Sequence, residues 1–570
     1  MKFWYNPNFL AVIFLIIISM PALKSLLAAA FYTSHDGETH TARIAQYYLA
    51  LKDGQIPPRL APTLYNGLGS PIFVYIYPLP YFFGSLIHLL GATYTNSFKI
   101  LMATGFVFSA IFSYFWLKEV FESEKAAFLG AIFYIWVPYR FLLVYVRGSV
   151  SELLAYTFLP LALYSFTKLS KSGNIFWIST SAISLAGLLL SQNLVAIMTL
   201  PILAIYILII GINNKSFSFL FKSAICGLWA FLISSVTYLP ALFERKFVRL
   251  DEIITVAYQN HFVTLGQLFH SPWGYGFDLP GTVSDQLSFQ IGLAHLLILS
   301  IAIVLIVYFM IKRYLTNLIS PVSPILFQLS LFFLIIFILS VFLMLDIKPN
   351  TYVWQHLRFL HTIDIPWRLL GVTSVATTFL TSFVIKTIKP GAFSLLLIIL
   401  VLIANRNHLR INEELQRSDQ FFETYSGTAT QYNEFTPIWR QTTASPASLK
   451  SPEKAHVLDG IAQISNFRQN SKNIYFDVDV KSQTAMVRVD RFYFPKVKSN
   501  IGQIYSTDTQ TKKLEDEKDR SGLILVNVSS GFHNVSLKYQ ETWPRTIANY
   551  LTLISITLAV VTLSINAKRA

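Results

Sequence analysis

Residues 325–345 read ILFQLSLFFLIIFILSVFLML, and none of these 21 positions carries a charge. A helix that rises about 1.5 Å per residue crosses a hydrocarbon core of ~30 Å in about 20 residues, so this stretch predicts a membrane-spanning helix. Apolar blocks of similar length recur before and after it. The sequence therefore predicts a mainly α-helical, polytopic membrane protein.

The composition of the whole chain supports this prediction. Of its 570 residues 54% are hydrophobic and only 13% charged, which is too little polar surface for a soluble cytoplasmic enzyme. Strands of a transmembrane β-barrel would instead alternate over ~10 residues. In a membrane protein the formal net charge of +15 reports loop orientation rather than nucleic-acid binding, so no nucleic-acid partner is expected. Cys226, the single cysteine, excludes an intramolecular disulfide and a multi-cysteine metal site.

About twelve apolar blocks are predicted to span the bilayer. They are Phe9–Ala30, Phe98–Leu117, Ala126–Leu143, Leu153–Phe166, Ile175–Leu190, Leu194–Ile210, Ala224–Leu242, Ile291–Ile311, Ile325–Leu345, Leu369–Ile385, Ala392–Ala404 and Ile547–Ile565. With the N-terminus inside, six loops that carry pairs of Lys or Arg all fall on the cytoplasmic side, which is where positive charge concentrates. We therefore expect a multi-pass protein of the cell (plasma or inner) membrane, with both termini in the cytoplasm.

One apolar block does not fit this alternation of sides. Pro71–Leu90, PIFVYIYPLPYFFGSLIHLL, would invert every later loop if it spanned the bilayer, and its three prolines disfavour a straight helix. We interpret it as an amphipathic or re-entrant segment in a long first external loop, residues 31–97. Residues 243–290 form a second external loop. The block before the first loop is interpreted as a retained helix, with a cleaved signal peptide as the alternative.

The pattern changes in the hydrophilic region 405–544. From Asn473 to Gln540 apolar and polar residues alternate, which is typical of half-buried antiparallel strands. We expect a small extracytoplasmic β-sandwich of about eight strands between a transmembrane domain, residues 1–404, and a final helix with a cytoplasmic tail, residues 545–570. Such a domain either binds carbohydrate or simply packs on the helices as a cap.

The first external loop begins with a cluster of titratable side chains. Within six residues it contains His35, Asp36, Glu38 and His40. Carboxylates and imidazoles at a membrane edge can act as a general base or hold a divalent cation, with Asp36 and His40 as candidate ligands. The alternative is a solvated helix start, with Asp36 as its cap. Arg59 and Asn66 belong to the same loop, in a stretch rich in proline and glycine, and they are further candidates for binding the substrate or its phosphate.

The second cluster is ArgGlySerValSerGlu at 147–152, which the predicted topology places on the same external face as Asp36. Arg147 is suited to a phosphate, and Glu152 supplies a second acidic residue and a third candidate metal ligand. Arg147 and Glu152 pairing only with each other is the structural alternative.

A third external cluster lies at 354–368, and it contributes Arg358, His361 and Arg368 as candidate phosphate-binding residues. The pair Trp367–Arg368 is equally typical of an interfacial anchor. Asn193, at a helix end, and the aromatic loop at 270–278 are weaker candidates for binding a sugar.

Four short motifs, taken in order, carry a family resemblance. They are HisAspGlyGluThrHis at 35–40, ArgGlySerValSerGlu at 147–152, IleProTrpArg at 365–368 and GlyPheHisAsnValSerLeuLysTyr at 531–539. With the long first loop, they resemble the GT-C superfamily of membrane glycosyltransferases, most closely the bacterial and archaeal membrane proteins labelled 6-pyruvoyl-tetrahydropterin-synthase-related. The pterin label names a soluble chemistry for which this sequence has no site.

The resemblance implies transfer of a hexosyl or pentosyl group, with inversion, from a polyprenyl-phosphate carrier to a glycan, lipid or protein acceptor at the outer face. Asp36, with Glu38 and Glu152 as further candidate catalytic residues, would activate the acceptor hydroxyl. Arginines, with or without an Mg²⁺ or Mn²⁺ ion, would stabilise the departing phosphate. Superfamily members commonly carry paired acidic residues where Glu152 stands alone, so metal dependence stays open.

Two other classes of function fit the same sequence. One is a non-catalytic transporter or flippase for a lipid-linked glycan, and the other is an assembly protein whose β-domain recognises a surface polysaccharide. A polar cluster on one face favours the enzyme, because alternating access usually needs polar groups near the bilayer midplane. The absence of a Walker glycine loop, a dinucleotide fingerprint and a HisGluxxHis motif disfavours chemistry driven by a bound nucleotide.

Overall fold

The computed structural model describes residues 6–28, 30–250, 257–276, 287–316, 322–388, 391–427, 430, 433–440, 454–501, 504–506 and 522–566. Within these ranges the chain is mainly helical, with a region of β-sheet near its C-terminal end. Nine of the described helices are long and apolar enough to cross a membrane, so the chain is a multi-pass membrane protein.

The helices, in chain order, are α1 (Pro7–Ala28), α2 (Gly37–Lys52), α3 (Ile72–Tyr75), α4 (Leu79–Leu89), α5 (Tyr94–Phe121), α6 (Glu124–Ile135), α7 (Pro138–Phe141), α8 (Val150–Ser172), α9 (Ile175–Ser191), α10 (Asn193–Asn213), α11 (Phe217–Glu244), α12 (Leu265–Phe269), α13 (Leu293–Thr316), α14 (Pro324–Met344), α15 (Lys348–His356), α16 (Leu370–Ile388), α17 (Ala392–Ala404), α18 (Asp419–Glu423) and α19 (Trp543–Asn566). A π-helical turn, Leu142–Arg147, continues α7, and 3-10 turns occupy Arg245–Phe247, Ala257–Asn260, Arg358–Thr362, Pro366–Leu369 and Arg406–His408.

Each of the twelve predicted blocks falls on helix, but three differ from a long straight span. The block 126–143 is divided between α6 and α7, which bend by 48°. The bend lies at Pro138, which has no N–H to continue the helical hydrogen bonds. The helices α9 and α17 contain 17 and 13 residues. The count of twelve spans therefore stays a prediction.

The segment Pro71–Leu90 is not a single straight helix, in agreement with its prolines. It forms α3 and α4, and the chain between them is extended at Ile76. One side of α4 meets α2 closely, because a Cβ at Gly84 would lie 2.7 Å from the side chain of Ile44. The other side exposes apolar residues, including Leu89 at 66%. An amphipathic or re-entrant segment at the membrane surface would have one such packed side and one such exposed apolar side.

The core of the helical part surrounds α16, in which every side chain from Leu370 to Ile385 is buried. Small residues allow its neighbours to approach: a Cβ at Gly130 in α6 would lie 2.3 Å from Ser382 Oγ. Hydroxyl groups within α16 are satisfied locally, since Thr377 and Thr381 donate to carbonyls of the preceding turn. This enclosed helix begins directly after the third sequence cluster.

The strands are β1 (Phe31–Tyr32), β2 (Glu414–Leu415), β3 (Ala455–Asp459), β4 (Ala462–Gln469), β5 (Asn473–Phe492), β6 (Val497–Ser499), β7 (Ile504–Ser506) and β8 (Leu523–Tyr539). The described part of the C-terminal sheet has six strands, all antiparallel, around the long central pair β5 and β8. The predicted alternation is confirmed, because the inward side chains of both strands form one buried apolar cluster. The ladder between β5 and β8 shifts register after Val480, and each half of β5 has its own outer strand. Closure of these halves into a sandwich stays a prediction.

The C-terminal region is joined to the helical part at several points. Strand β1, just after α1, pairs with β2. The guanidinium of Arg545 in α19 forms an ion pair at 2.6 Å with Glu244 at the end of α11, and both side chains are buried. Arg491 donates to the carbonyls of Pro62 and Asn470. The loop at 31–97 thus lies between the helices and the sheet.

Candidate active site

The first two sequence clusters lie side by side, and backbone hydrogen bonds hold them there. The N–H of His35 donates to the carbonyl of Val146 at 3.0 Å, and that of Asp36 to the carbonyl of Arg147 at 2.7 Å. The backbones approach closely at two glycines: Gly148 has φ of +62°, and a Cβ on it would lie 2.9 Å from the backbone nitrogen of Gly37. Glycine is suited to both demands, because it lacks a Cβ.

The side chains of these two clusters form a chain of alternating charges. Arg147 Nη2 lies 3.3 Å from Asp36 Oδ2, and Arg147 Nη1 lies 2.5 Å from Glu152 Oε1. Tyr139 donates its hydroxyl hydrogen to the other oxygen of Glu152 at 2.9 Å. The structure therefore brings together the two acidic residues that were expected on one face, with a guanidinium between them.

The third cluster adds one arginine to this group. Arg368 Nε lies 3.4 Å from Glu152 Oε1, and Arg368 Nη1 lies 2.5 Å from Asp364 Oδ1. The ring of Trp367 lies 5.3 Å from the guanidinium carbon of Arg147. The interfacial-anchor alternative does not describe this pair, because the side chains of Trp367 and Arg368 are buried. We call Asp36, Arg147, Glu152, Arg368 and Asp364 the charge network.

Exposure differs sharply along the charge network. The side chain of Glu152 is 1% exposed and that of Arg147 5%, whereas that of Asp36 is 43% exposed. A buried carboxylate needs opposite charge and hydrogen bonds, and Glu152 has both. Glu152 is thus the buried centre that holds two guanidiniums, and Asp36 is the carboxylate that a ligand can reach.

The electrostatic environment keeps Asp36 ionised. Partial burial acts to raise the pKa of Asp36, but Arg147, His40 and Arg368 outweigh it and lower this pKa below the usual value. The pKa of the adjacent His35 is also lowered, mainly by burial, and its Nε2 lies 3.2 Å from the carbonyl oxygen of Tyr275. Asp36 is therefore negatively charged at neutral pH and can accept a hydrogen bond from a hydroxyl group.

His40 and Glu38 have partners outside the charge network. His40 is buried with its Nδ1 3.1 Å from the hydroxyl of Tyr81, and burial together with Arg43 lowers its pKa to about 3. Glu38 forms an ion pair at 2.8 Å with Arg417, which lies between β2 and α18. Both residues stay candidates, but neither touches Glu152 through a described contact.

Three candidate binding residues lie away from the charge network. Arg59 donates to the carbonyl of Val236 and to Asn549 Oδ1, which ties the first loop to α11 and α19. The backbone N–H of Asn66 donates to the carbonyl of Ser426. Asn193 accepts a hydrogen bond from the hydroxyl of Tyr238. These bonds fix helices and loops to one another.

The remaining candidates of the third cluster also lie apart. His361 Nε2 contacts the carbonyl oxygen of Trp354 at 2.8 Å, and its ring stacks on Tyr258 at 4.5 Å. Arg358 is exposed, between the exposed apolar side chains of Leu357 and Phe359. In the aromatic loop, Trp273 stacks on His408, while residues 277 and 278 lie outside the described part.

Sequence reasoning missed two members of this site. Tyr139, which completes the hydrogen bonding of Glu152, sits at the bend between α6 and α7 with no motif around it. Asp364 lies in the third cluster four residues before Arg368, a spacing at which opposite charges can pair, but it was not predicted as a site residue.

Each carboxylate of the charge network already faces an arginine. Glu152 faces Arg147 and Arg368, and His40 is bonded to Tyr81. No group of three or more His, Cys, Asp or Glu suited to a metal ion is found in the part of the chain that the structure describes. A cation held by Asp36, His40 and Glu152 therefore stays a prediction without support from this geometry.

Comparison with known proteins gives a relative but no activity. No family model matches the chain. An "Uncharacterized protein" of Lactococcus lactis subsp. cremoris (strain MG1363) is 27% identical over 240 residues, which cover 41% of this chain and 39% of the relative. The match therefore spans about two fifths of either protein.

Replacing Gly148 with alanine tests the close approach of the two loops. We expect Gly148→Ala to lower the free energy of unfolding by more than the about 1–2 kcal/mol of a left-handed backbone, because the new Cβ also meets Gly37. Gly54→Ala is the matched control, since Gly54 has φ of +81° but nothing within 4 Å of a Cβ. Thermal unfolding of the purified proteins in detergent makes the comparison, and equal losses in both variants would refute the close contact.

Proposed function

We propose that this protein is a GT-C-type glycosyltransferase that transfers a sugar from a polyprenyl-phosphate carrier to an acceptor at the extracytoplasmic face. The observation that carries the proposal is the charge network, in which an exposed, ionised Asp36 contacts Arg147 and a second buried arginine, Arg368, is held beside it by Glu152. A carboxylate that accepts a proton and cations that receive a phosphate are the two groups that this reaction needs.

In the proposed reaction Asp36 removes the proton from the acceptor hydroxyl. The acceptor oxygen then attacks the anomeric carbon of the sugar, a new glycosidic bond forms, and the bond between that carbon and the phosphate oxygen breaks. The electron pair leaves with the polyprenyl phosphate, which Arg147 and Arg368 stabilise. Direct displacement inverts the configuration at the anomeric carbon.

Glu152 has a positioning role in this scheme. Its carboxylate fixes Arg147 and Arg368 with hydrogen bonding from Tyr139, and it is too enclosed to reach an acceptor.

Replacing Asp36 with asparagine removes the proposed base while keeping the shape of the side chain. We expect Asp36→Asn to lower transfer by at least about 100-fold, the usual contribution of a general base, and to abolish one modification of the cell-surface glycans. Composition analysis of surface glycans from cells with the wild-type or the variant protein measures this. Asp346→Asn, an exposed carboxylate after α14, is the control and should keep normal glycans. Normal glycans in the Asp36 variant would rule out the catalytic role.

Replacing Glu152 with glutamine separates positioning from catalysis. We expect Glu152→Gln to lose both activity and about 3–5 kcal/mol of stability, because it leaves two buried guanidiniums without their shared carboxylate. Asp36→Asn should change stability little, since that side chain is partly exposed. Thermal midpoints in detergent, with Glu124→Gln at an exposed ion pair as control, distinguish the two. A Glu152 variant of normal stability would contradict the buried-centre role.

The proposal also assigns an orientation, with the charge network and the sheet outside the cell membrane and both termini in the cytoplasm. Starting from Cys226→Ser, we expect a membrane-impermeant maleimide to label Lys481→Cys in intact cells and Lys125→Cys only after permeabilisation. Both lysines are exposed, one in β5 and one at the start of α6. Labelling of Lys125→Cys in intact cells, with Lys481→Cys labelled only after permeabilisation, would mean that the protein has the opposite orientation. Labelling of both sites in intact cells would contradict the membrane topology.

A further inference from the structure

A second cationic feature lies away from the charge network, where the first external loop, the sheet and α19 meet. A cavity of about 370 Å³ opens between them. Its charged lining comprises Arg59, Lys472, Lys538, Glu541 and Arg545. Four cations and one carboxylate therefore face the same space.

The two arginines of this cavity are neutralised by carboxylates, but the two lysines are not. Arg545 is paired with Glu244, and Arg59 lies 3.6 Å from Glu541. No carboxylate among the described residues lies within ion-pair distance of Lys472 or Lys538, and both side chains are exposed. The cavity thus keeps an excess of positive charge at its rim.

Strand pairing concentrates this charge further. In the ladder between β6 and β8, Lys498 lies directly opposite Lys538. Like charges in directly opposite positions destabilise a sheet. An anion bound between these lysines would offset the repulsion, and phosphate oxygens accept several charge-assisted hydrogen bonds from such a cluster.

The surroundings of the cavity indicate what carries the anion. Trp543, the first residue of α19, is 60% exposed, and its ring lies 4.9 Å from that of Phe243. Ile56, which lines the cavity, is 81% exposed. Aromatic side chains at the start of an apolar helix are typical of the membrane–water interface. The cavity therefore adjoins the end of α19 at which a membrane surface is expected.

We propose that this cavity binds the phosphate of an anionic membrane lipid through Lys472 and Lys538. The lipid would join the sheet to the membrane surface, with its acyl chains beside Trp543 and Ile56. This role does not depend on glycosyl transfer, because none of these residues belongs to the charge network.

Native mass spectrometry of the full-length protein in detergent tests the proposal. We expect phosphatidylglycerol to be retained on the wild-type protein and phosphatidylcholine, whose headgroup has no net charge, to be lost. In the double variant Lys472→Gln/Lys538→Gln retention of phosphatidylglycerol should fall at least about tenfold, since each lysine near an anionic headgroup contributes roughly 1 kcal/mol. Lys481→Gln, an exposed lysine of β5 that pairs with Asp479, is the control and should retain the lipid.

A parallel titration with inorganic phosphate separates the two sources of a phosphate group. If phosphatidylglycerol stays bound when inorganic phosphate is added, the result supports a lipid as the ligand. Specific binding of inorganic phosphate without retention of phosphatidylglycerol would overturn the proposal that the ligand is a lipid. The cavity would then be a site for free phosphate. Equal retention of the lipid by the wild-type protein and the double variant would overturn the site itself, provided that thermal unfolding shows both to be folded.

Discussion

Glu152 is a carboxylate that is 1% exposed at the start of an apolar helix, and a charge in such a place must be neutralised. Its oxygens face a guanidinium from the end of the π-helical turn, a second one from the 3-10 turn just before α16 and the hydroxyl of Tyr139. Two segments that are far apart in sequence, residues 139–152 and the turn at 366–369, are held together by this requirement. The position of Asp36 follows from it, because Asp36 contacts the same Arg147 that Glu152 fixes.

Backbone contacts between the two loops also hold Asp36 beside Arg147. Gly148 adopts a left-handed conformation and lies against Gly37, so that the first loop can hydrogen-bond along Val146 and Arg147. Asp36 is then placed at the edge of the charge network, where burial decreases. A buried, rigid centre with one exposed carboxylate is an arrangement in which a reacting group is held in position by neighbours that do not react.

Much of this arrangement could be predicted from the sequence. Hydropathy located the helices, and the prolines of Pro71–Leu90 indicated a broken segment, because both depend on local properties. Loop charges placed Asp36 and Glu152 on one face, and the structure brings both to Arg147. The roles of Arg59 and His361 could not be predicted, since their partners, Asn549 and Trp354, come from tertiary packing that periodicity does not encode. The same holds for Tyr139, which has no motif around it.

The central claim is that the exposed carboxylate of Asp36 activates the acceptor to which a sugar is transferred from polyprenyl phosphate. The most direct measurement is the amount of polyprenyl-phosphate-linked sugar in lipid extracts from cells with the wild-type protein, with Asp36→Asn and with no copy of the gene. The account predicts that one lipid-linked sugar accumulates to the same level in the variant and in the deletion, with normal insertion of the variant protein. A deletion that changes no lipid-linked sugar, or a variant that behaves as wild type, would contradict it.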